Sequence, residues 1–472
     1  MARQRHAFLL PFATLEDSLA NFVFERSKRV ILGDFDAPRH DRITIPRAVQ
    51  PERLKGLLDE DGKFQISWAS ESNYDKNVPF KVVQEPGLHV ISGLDMSWDH
   101  VEELVGYLLG SGATAFNQSA YIDTPNWRSY YEPLEAVNVG VDSLLGRYVK
   151  PEELRYAKSV FLSYGSQPIS PNPNQLASDL VVEIYWDDRR AMKEALGITE
   201  TVISKVEPDA KVEVGLLTLN PNHNMDSEEF GLSGVIRNLD NKDFEKALFY
   251  TDLKHKKAEG SFTAQFEAPL GLHPKHQLSF DSIEMPDRPY CNLYAKYTVP
   301  RSLFLDEYQL ADLDRSNAAS AATGKLIGVW GEKDLEMPVW LTGGWGSEAV
   351  VEIYHHDRPR FDFELPMHSR YETPLLNDTT VHHDLPWPIV FWACKDEEEK
   401  ASPEIRGIGY ETFFPENALF YHVIPDTDTL SSSYHIPVAP LDKYPTVNTM
   451  TVTVILAGIL WILFKTLLNI RR

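Results

Sequence analysis

The C-terminal segment "NTMTVTVILAGILWILFKTLLNIRR" constrains this chain more than any other part of it. From Val447 to Leu468 an apolar run is interrupted only by Asn448, four threonines and Lys465. A helix of this length, at about 1.5 Å per residue, matches the roughly 30 Å hydrocarbon core of a bilayer. Because buried core helices are rarely apolar on every side, we predict a transmembrane helix over 447–468 and a short tail over 469–472.

The charges on either side of this helix predict its orientation. Lys465, Arg471 and Arg472 lie at its C-terminal end, whereas only Lys443 precedes it closely. The positive-inside rule then places the tail in the cytosol and the body in the lumen or outside. The N-terminal apolar run from Ala7 to Ala13 is short and has no cleavage site, so it favours a first β-strand over a signal peptide. A cytosolic body on a tail anchor is the alternative topology.

Composition limits the classes of protein that fit. The chain has 472 residues, 43% of them hydrophobic and 24% charged, which is typical of two or three globular domains. Its formal net charge of −23 argues against nucleic-acid binding and against a body that lies on anionic lipid, because both favour clusters of Lys and Arg.

Alternating hydrophobicity predicts mainly β-structure. The segment "PYCNLYAKYTVP" places Leu293, Ala295, Tyr297 and Val299 on one face of a strand, and "EAVVEIYHH", "RFDFELP" and "NALFYHVIP" alternate similarly. Helical patterns such as "SWDHVEELVGYLLGSG" occur in the first half. We therefore predict a mainly β fold: one or more β-sandwich-like lumenal domains, some helices in the N-terminal half, and the C-terminal transmembrane helix.

Two polar segments predict the domain boundaries. The first, "GSQPISPNPNQ", indicates a sub-boundary near 165–176, and the second, "LKHKKAEGS", precedes the densest strand pattern. We predict an α+β or β-rich N-terminal region over 1–255 and a β-sandwich domain over 260–440.

Motifs for chemistry are weak. No phosphate-binding loop, HExxH or GxSxG is present. The chain has three D-x-D triplets (34–36, 312–314 and 426–428), which are expected by chance in so acidic a sequence. It also has two HHD triplets (355–357 and 382–384), whose histidines we expect on the surface or in turns. We predict no catalytic residue, no metal site and no cofactor.

The cysteines and the glycosylation sequons both bear on compartment. Cys291 and Cys394 allow one disulfide, which a lumenal body permits; we expect them to lie close together, with two buried thiols as the alternative. The sequons at Asn117 and Asn377 are about as many as chance produces, so they do not decide the topology. If the body is lumenal, both asparagines face the glycosylation machinery.

Several aromatic and proline-rich segments of the second half resemble the PIG-X family in order and spacing. They are "YAKYTVPRSLFLDEYQLADL", "KDLEMPVWLTGGWGSEAVVEIY", "FELPMHSRYETP", "WPIVFWAC" and "YHIPVAPLDKYPTVNTMTVTVILAGIL". The resemblance covers about 261–470, and the long N-terminal extension is similar to that of the fungal members. It implies a noncatalytic subunit of glycosylphosphatidylinositol (GPI) mannosyltransferase I in the endoplasmic reticulum, whose PIG-M-type partner transfers the first mannose.

The most specific part of the resemblance is "HSRYETP", together with the run that ends at Tyr308. Strand alternation would place His368 and Arg370 on one face, with Tyr371 on the other and Pro374 ending the pairing. Exposed His, Arg and Tyr side chains are typical of interfaces, but a buried Tyr371 beside a salt-bridged Arg370 is the alternative. The candidate partner contacts are His368, Arg370, Tyr371, Pro374 and Tyr308.

The predicted function is a noncatalytic, stabilising subunit of the mannosyltransferase, with a lumenal body and a cytosolic C-terminus. One alternative is a membrane-tethered lumenal carbohydrate-active enzyme, which needs two acidic side chains about 5 to 9 Å apart in one cleft. Another is a chaperone or lectin of the endoplasmic reticulum with a β-sandwich body, which needs an open groove lined with aromatic side chains.

Overall fold

The computed structural model describes most of the chain, and the statements below concern the described residues. These are 1–10, 18–19, 22–25, 29–32, 37–58, 62–70, 84–110, 120–137, 139–165, 179–187, 189–219, 229–241, 243–252, 254–268, 270–317, 324–355, 358–376, 378–395, 409–415, 417–427 and 429–470. Asn117 and Asn377, the two predicted glycosylation sites, lie outside them.

Strands predominate, so the predicted mainly β fold is confirmed. In the first half the strands are β1 (Arg3–Leu10), β2 (Phe22–Glu25), β3 (Arg29–Leu32), β4 (Arg39–Ile45), β5 (Phe64–Ala69), β6 (Gly87–Gly93), β7 (Ile122–Asp123), β8 (Trp127–Glu132), β9 (Ser159–Tyr164), β10 (Leu180–Trp186), β11 (Thr201–Ser204), β12 (Lys211–Leu219), β13 (Glu229–Asn238) and β14 (Glu245–Asp252). In the second half they are β15 (His255–Phe266), β16 (Lys275–Asp281), β17 (Asn292–Pro300), β18 (Leu303–Phe304), β19 (Gly324–Gly331), β20 (Gly346–Ile353), β21 (Phe361–Pro366), β22 (His368–Ser369), β23 (Thr380–Pro386), β24 (Ile389–Lys395), β25 (Ala418–Pro425) and β26 (Ser431–Pro437).

The helices are fewer and mostly short. They are α1 (Glu52–Leu57), α2 (Trp98–Leu109), α3 (Leu144–Tyr148), α4 (Pro151–Leu154), α5 (Arg190–Leu196), α6 (Glu307–Asn317) and α7 (Tyr444–Ile470). Single 3₁₀ turns occur at Arg47–Val49, Val339–Leu341, Tyr410–Phe413 and Leu441–Lys443.

The first half contains a large sheet with the strand order β14-β13-β12-β1-β4-β10-β9-β5-β6-β8-β7 and a separate three-stranded sheet, β11-β3-β2. Helix α2 packs on the large sheet because its apolar residues Val101, Leu104, Val105 and Leu108 recur at helical spacing and are fully buried. The helix begins after Ser97, whose side chain accepts a hydrogen bond from the backbone N–H of His100.

The second half has one large core and a smaller buried cluster that contains Phe391 and Phe420. Its eight-stranded sheet has the order β19-β20-β17-β24-β25-β15-β16-β21, and the edge residues Val329 and Phe363 belong to the buried cluster of the large core. The separate pair β23–β26 adds Leu385 and Ile436 to that cluster. The inward face predicted for β17 is confirmed, since Leu293 and the residues that alternate with it are buried in this core.

Cys291 and Cys394 are joined in a disulfide, with their Cα atoms 4.1 Å apart. Cys394 lies in β24, which pairs with β17, and Cys291 immediately precedes β17. The disulfide therefore ties together two neighbouring strands at one end of the second sheet.

The C-terminal helix α7 stands apart from both sheets. Its residues are exposed along its whole length, and its apolar stretch is long enough to cross a membrane. The 3₁₀ turn at Leu441–Lys443 leads directly into it, so the helix follows β26 of the β23–β26 pair closely.

Candidate functional site

The residues singled out by "HSRYETP" lie on strand β22 and on the loop after it, which is hydrogen-bonded to the 3₁₀ turn that precedes α7. His368 belongs to the two-residue strand β22, which pairs with β18, and its ring stacks on Phe304 with ring centroids 5.1 Å apart. Its Nδ1 lies 2.9 Å from Nδ1 of His273, and its Nε2 lies 2.8 Å from Oε1 of Gln309. Partial burial, and next the nearby His273, lower the pKa of His368, which favours the neutral ring.

Arg370 differs from both predicted roles. The residue is only 2% exposed, and its guanidinium lies over Phe304, 4.6 Å from the ring centroid. It donates to the carbonyl oxygens of Met337 and Glu332, each at 2.9 Å, and to that of Asp334. Its side chain is therefore held by backbone carbonyls and is too buried to anchor a partner, so its assignment as a direct contact needs correction: it is a positioning residue for the turn at 332–337.

Tyr371, in contrast, is 67% exposed, which rules out the alternative of a core tyrosine. The regular pairing of β22 ends at Ser369, and the chain continues as an extended loop in which Pro374 is also exposed. The carbonyl oxygen of Tyr371 accepts a hydrogen bond of 3.0 Å from the backbone N–H of Val339. Arg370 thus fixes the loop from its buried side, while the Tyr371 side chain is exposed to solvent.

Tyr308 lies close to His368 and is 69% exposed. It occupies the first turn of α6, where Asp306 Oδ1 accepts hydrogen bonds from the backbone N–H groups of Tyr308 and Gln309. Gln309 in turn contacts His368. We call Tyr308, His368 and Tyr371 the tyrosine–histidine surface.

A second group of exposed side chains lies on this loop and on two 3₁₀ turns that are hydrogen-bonded to it, and these residues were not among the contacts predicted from the sequence. We call it the juxtamembrane patch; it consists of Trp340, Leu341, Leu375, Leu376 and Leu441. Backbone hydrogen bonds connect its three segments: Val339 N–H to Tyr371 O at 3.0 Å, and Leu441 N–H to Leu375 O at 2.8 Å. The proline- and tryptophan-rich character of "EMPVWLTGGWG" was the available signal, because such residues form interfaces where they are exposed.

A buried charged cluster joins the two halves of the chain and was also missed. Lys296 of β17 lies 2.9 Å from Oε1 of Glu85, and the Thr298 hydroxyl donates to the same oxygen at 2.8 Å. Glu348 and His89 are buried beside them. Burial raises the pKa of Glu348. At Glu85 burial is the largest single influence and raises the pKa, but Lys296, His89 and the hydrogen bonds together hold the pKa of that carboxyl below its usual value. We call Lys296, Glu85, Glu348 and His89 the junction. Because these side chains are buried between the two halves of the chain, we assign the junction a structural role.

The other acidic and histidine triplets show ordinary local contacts. Asp314 accepts a hydrogen bond from Tyr354, His383 pairs with Glu372, and Asp384 accepts one from Ser433. The triplet at 34–36, His356, Asp357 and Asp428 lie outside the described residues. Within the part of the chain that the structure describes, no group of three or more His, Cys, Asp or Glu residues is placed to hold a metal ion.

Comparison with known proteins identifies one family. Residues 269–467 match the family model described as PIG-X / PBN1. The chain is 29% identical to Protein PBN1 of Yarrowia lipolytica, over 100% of this chain and 97% of the relative. It is 29% identical to Protein PBN1 of Gibberella zeae, over 90% of this chain and 88% of the relative. With Protein pbn1 of Schizosaccharomyces pombe the identity is 33%, over 41% of this chain and 55% of the relative.

Proposed function

Since the chain belongs to the PIG-X/PBN1 family, we propose that it is the noncatalytic, stabilising subunit of GPI mannosyltransferase I in the endoplasmic reticulum. The observation that carries the proposal is the length of the similarity, because the Yarrowia lipolytica relative matches the N-terminal half as well as the family domain and the apolar helix. The chemistry belongs to a PIG-M-type catalytic partner. This chain supplies contact area and raises the partner's local concentration by sharing its bilayer.

The proposed topology is a single span with a lumenal body and a cytosolic C-terminus. The cations that follow the apolar run support this orientation. The Cys291–Cys394 disulfide supports it independently, because disulfides persist in oxidising compartments and are rare in the cytosol.

For the partner contact we propose the tyrosine–histidine surface. Exposed tyrosines bury a large rigid area at low entropic cost and commonly anchor interfaces. Tyr308 and Tyr371 are both more than two-thirds exposed, so this chain folds without using either ring. A subunit that binds only the folded partner stabilises it by mass action.

The proposal is tested with the double variant Tyr308→Ala/Tyr371→Ala in cells. We expect this chain to keep its normal abundance, while the catalytic subunit and the first mannosylation of the GPI precursor both fall several-fold. Tyr290→Ala is a matched control, since Tyr290 is 80% exposed and lies beside the disulfide, at the other end of β17. Normal partner levels in the double variant would reject the surface, and normal mannosylation after complete removal of this chain would reject the function.

A further inference from the structure

The juxtamembrane patch is unusual because it exposes large apolar side chains on segments that are mostly free of charge. Leu376 is 68% exposed, Leu341 65% and Trp340 55%. The segments 338–342 and 373–376, which carry most of the patch, contain no charged residue. Isolated exposed leucines are common, but a contiguous group of this kind indicates a contact surface.

The position of the patch restricts what it can contact. Leu441 belongs to it and is hydrogen-bonded to Leu375, and only five residues of helical turn, 442–446, separate Leu441 from Val447, where the apolar run begins. That distance is about 10 Å along the helix axis. Its component along the membrane normal is shorter when the helix tilts. Headgroup regions add roughly 5 to 8 Å to each side of the hydrocarbon core. The patch is thus tethered within reach of the headgroups.

The chemistry of the patch suits that depth. Tryptophan and leucine partition to the boundary between headgroups and acyl chains, where the indole N–H stays hydrated. The charged residues nearest in sequence include Glu372, Asp378, Asp442 and Lys443, and because the three carboxylates outnumber the one ammonium group they disfavour an anionic surface. A neutral, zwitterionic leaflet therefore fits better than an acidic one.

We infer that the juxtamembrane patch inserts its side chains into the interfacial region of the leaflet that α7 enters, so that the body rests on the bilayer. This inference depends on α7 spanning the membrane, as in the proposed function.

The test uses the full-length chain in phosphatidylcholine nanodiscs. Because both native cysteines are in the disulfide, Leu341→Cys and Leu376→Cys each provide one thiol for an environment-sensitive fluorophore. Val141→Cys, which lies in the N-terminal half and is 71% exposed, is the matched control. Leu460→Cys reports on the helix itself. Phosphatidylcholine carrying a nitroxide on its headgroup, or deep in its acyl chain, serves as the quencher.

We expect the headgroup nitroxide to quench the reporters at 341 and 376 at least twofold more than the reporter at 141, and the deep nitroxide to quench the reporter at 460. Quenching at 460 with equal quenching at 341, 376 and 141 would overturn the inference and leave the family function intact. An unquenched reporter at 460 would reject the span as well. If the fluorophore at 341 is shielded from solvent only when the catalytic subunit is present, or only when this chain self-associates, the patch contacts a protein partner and the inference is overturned.

Discussion

The junction between the two halves and the juxtamembrane patch reverse the usual distribution of side chains in opposite ways. At the junction Lys296, Glu85 and Glu348 are ionisable and buried, whereas at the patch Leu341 and Leu376 are apolar and exposed. Both arrangements are costly for an isolated surface. At the junction the compensating partner is another part of the same chain, because Glu85 of the N-terminal half pairs with Lys296 of the second sheet.

The patch has no such partner among the described residues. The difference shows that a folded chain can compensate buried charges with its own residues, whereas exposed apolar side chains require contact with lipid or another molecule. It also predicts different consequences of substitution: changes at the junction should act on folding, and changes at the patch should act on association alone.

The largest effect is expected from Lys296→Met. Removing one partner of a buried ion pair leaves Glu85 uncompensated, which typically costs about 3 to 5 kcal/mol. Denaturant unfolding of the full-length protein in mild detergent measures the loss. Lys325→Met is the matched control, because Lys325 is exposed on the edge strand β19 and its replacement should change the unfolding free energy little. Equal unfolding midpoints for the two variants would contradict the role assigned to the junction.

Arg370→Ala should have the next largest effect. Three backbone carbonyls lose a buried charged donor, which we expect to cost about 3 kcal/mol and to loosen the turn at 332–337. Arg301→Ala, at an exposed position, is the control. Faster proteolysis within 332–341 is the local readout. An unchanged unfolding free energy would show that water replaces the guanidinium without cost.

Acidification should weaken the junction through His89. Burial, the largest cause, holds the pKa of His89 at about 4, so the folded state resists a proton that the unfolded state accepts near pH 6.5. The stabilisation is complete above the unfolded pKa and is lost as pH falls towards the folded pKa, which corresponds to about 2 kcal/mol between pH 7 and pH 5.

Other groups alter this profile in known directions. The lowered pKa of Glu85 adds a loss of the same sign at lower pH, and the raised pKa of Glu348 acts in the opposite sense, favouring the folded state in acid. His40 and His276 are buried with lowered pKa values elsewhere, so His89→Gln isolates the contribution of the junction. The unfolding free energy, measured by denaturant unfolding at several pH values, should depend less on pH in His89→Gln than in the unsubstituted protein. An unchanged slope would exclude His89 as a source of the pH dependence.

The alternation of β17 shows how much of the packing the sequence pattern predicts. The period of two identified Leu293 and Tyr297 as one face and Lys296 and Thr298 as the other, but it carries no information about what covers the second face. That depends on Glu85, more than two hundred residues away. Long-range packing of this kind leaves no local pattern.

Arg370 was misassigned for a related reason. Its partners are backbone carbonyls more than thirty residues earlier, and a carbonyl has no residue identity for a pattern to reveal. The helix α7, in contrast, was predictable to within about three residues at each end, because a long, mostly apolar run depends only on local composition. The disulfide was partly predictable, since the strand pattern placed both cysteines in the same domain.

The smallest effect on stability is expected at the patch itself. In Leu341→Ser/Leu376→Ser the unfolding free energy should change by less than about 0.5 kcal/mol, because neither side chain packs in a core. The same change removes apolar area from the lipid contact, so the body should tumble more freely about its tether, and a fluorophore at Val141→Cys in nanodiscs should show a lower residual anisotropy. Val202→Ser, also exposed but in the N-terminal half, should leave the anisotropy unchanged. A large loss of stability in the double variant would make the patch part of the fold, and the contrast with the junction would then disappear.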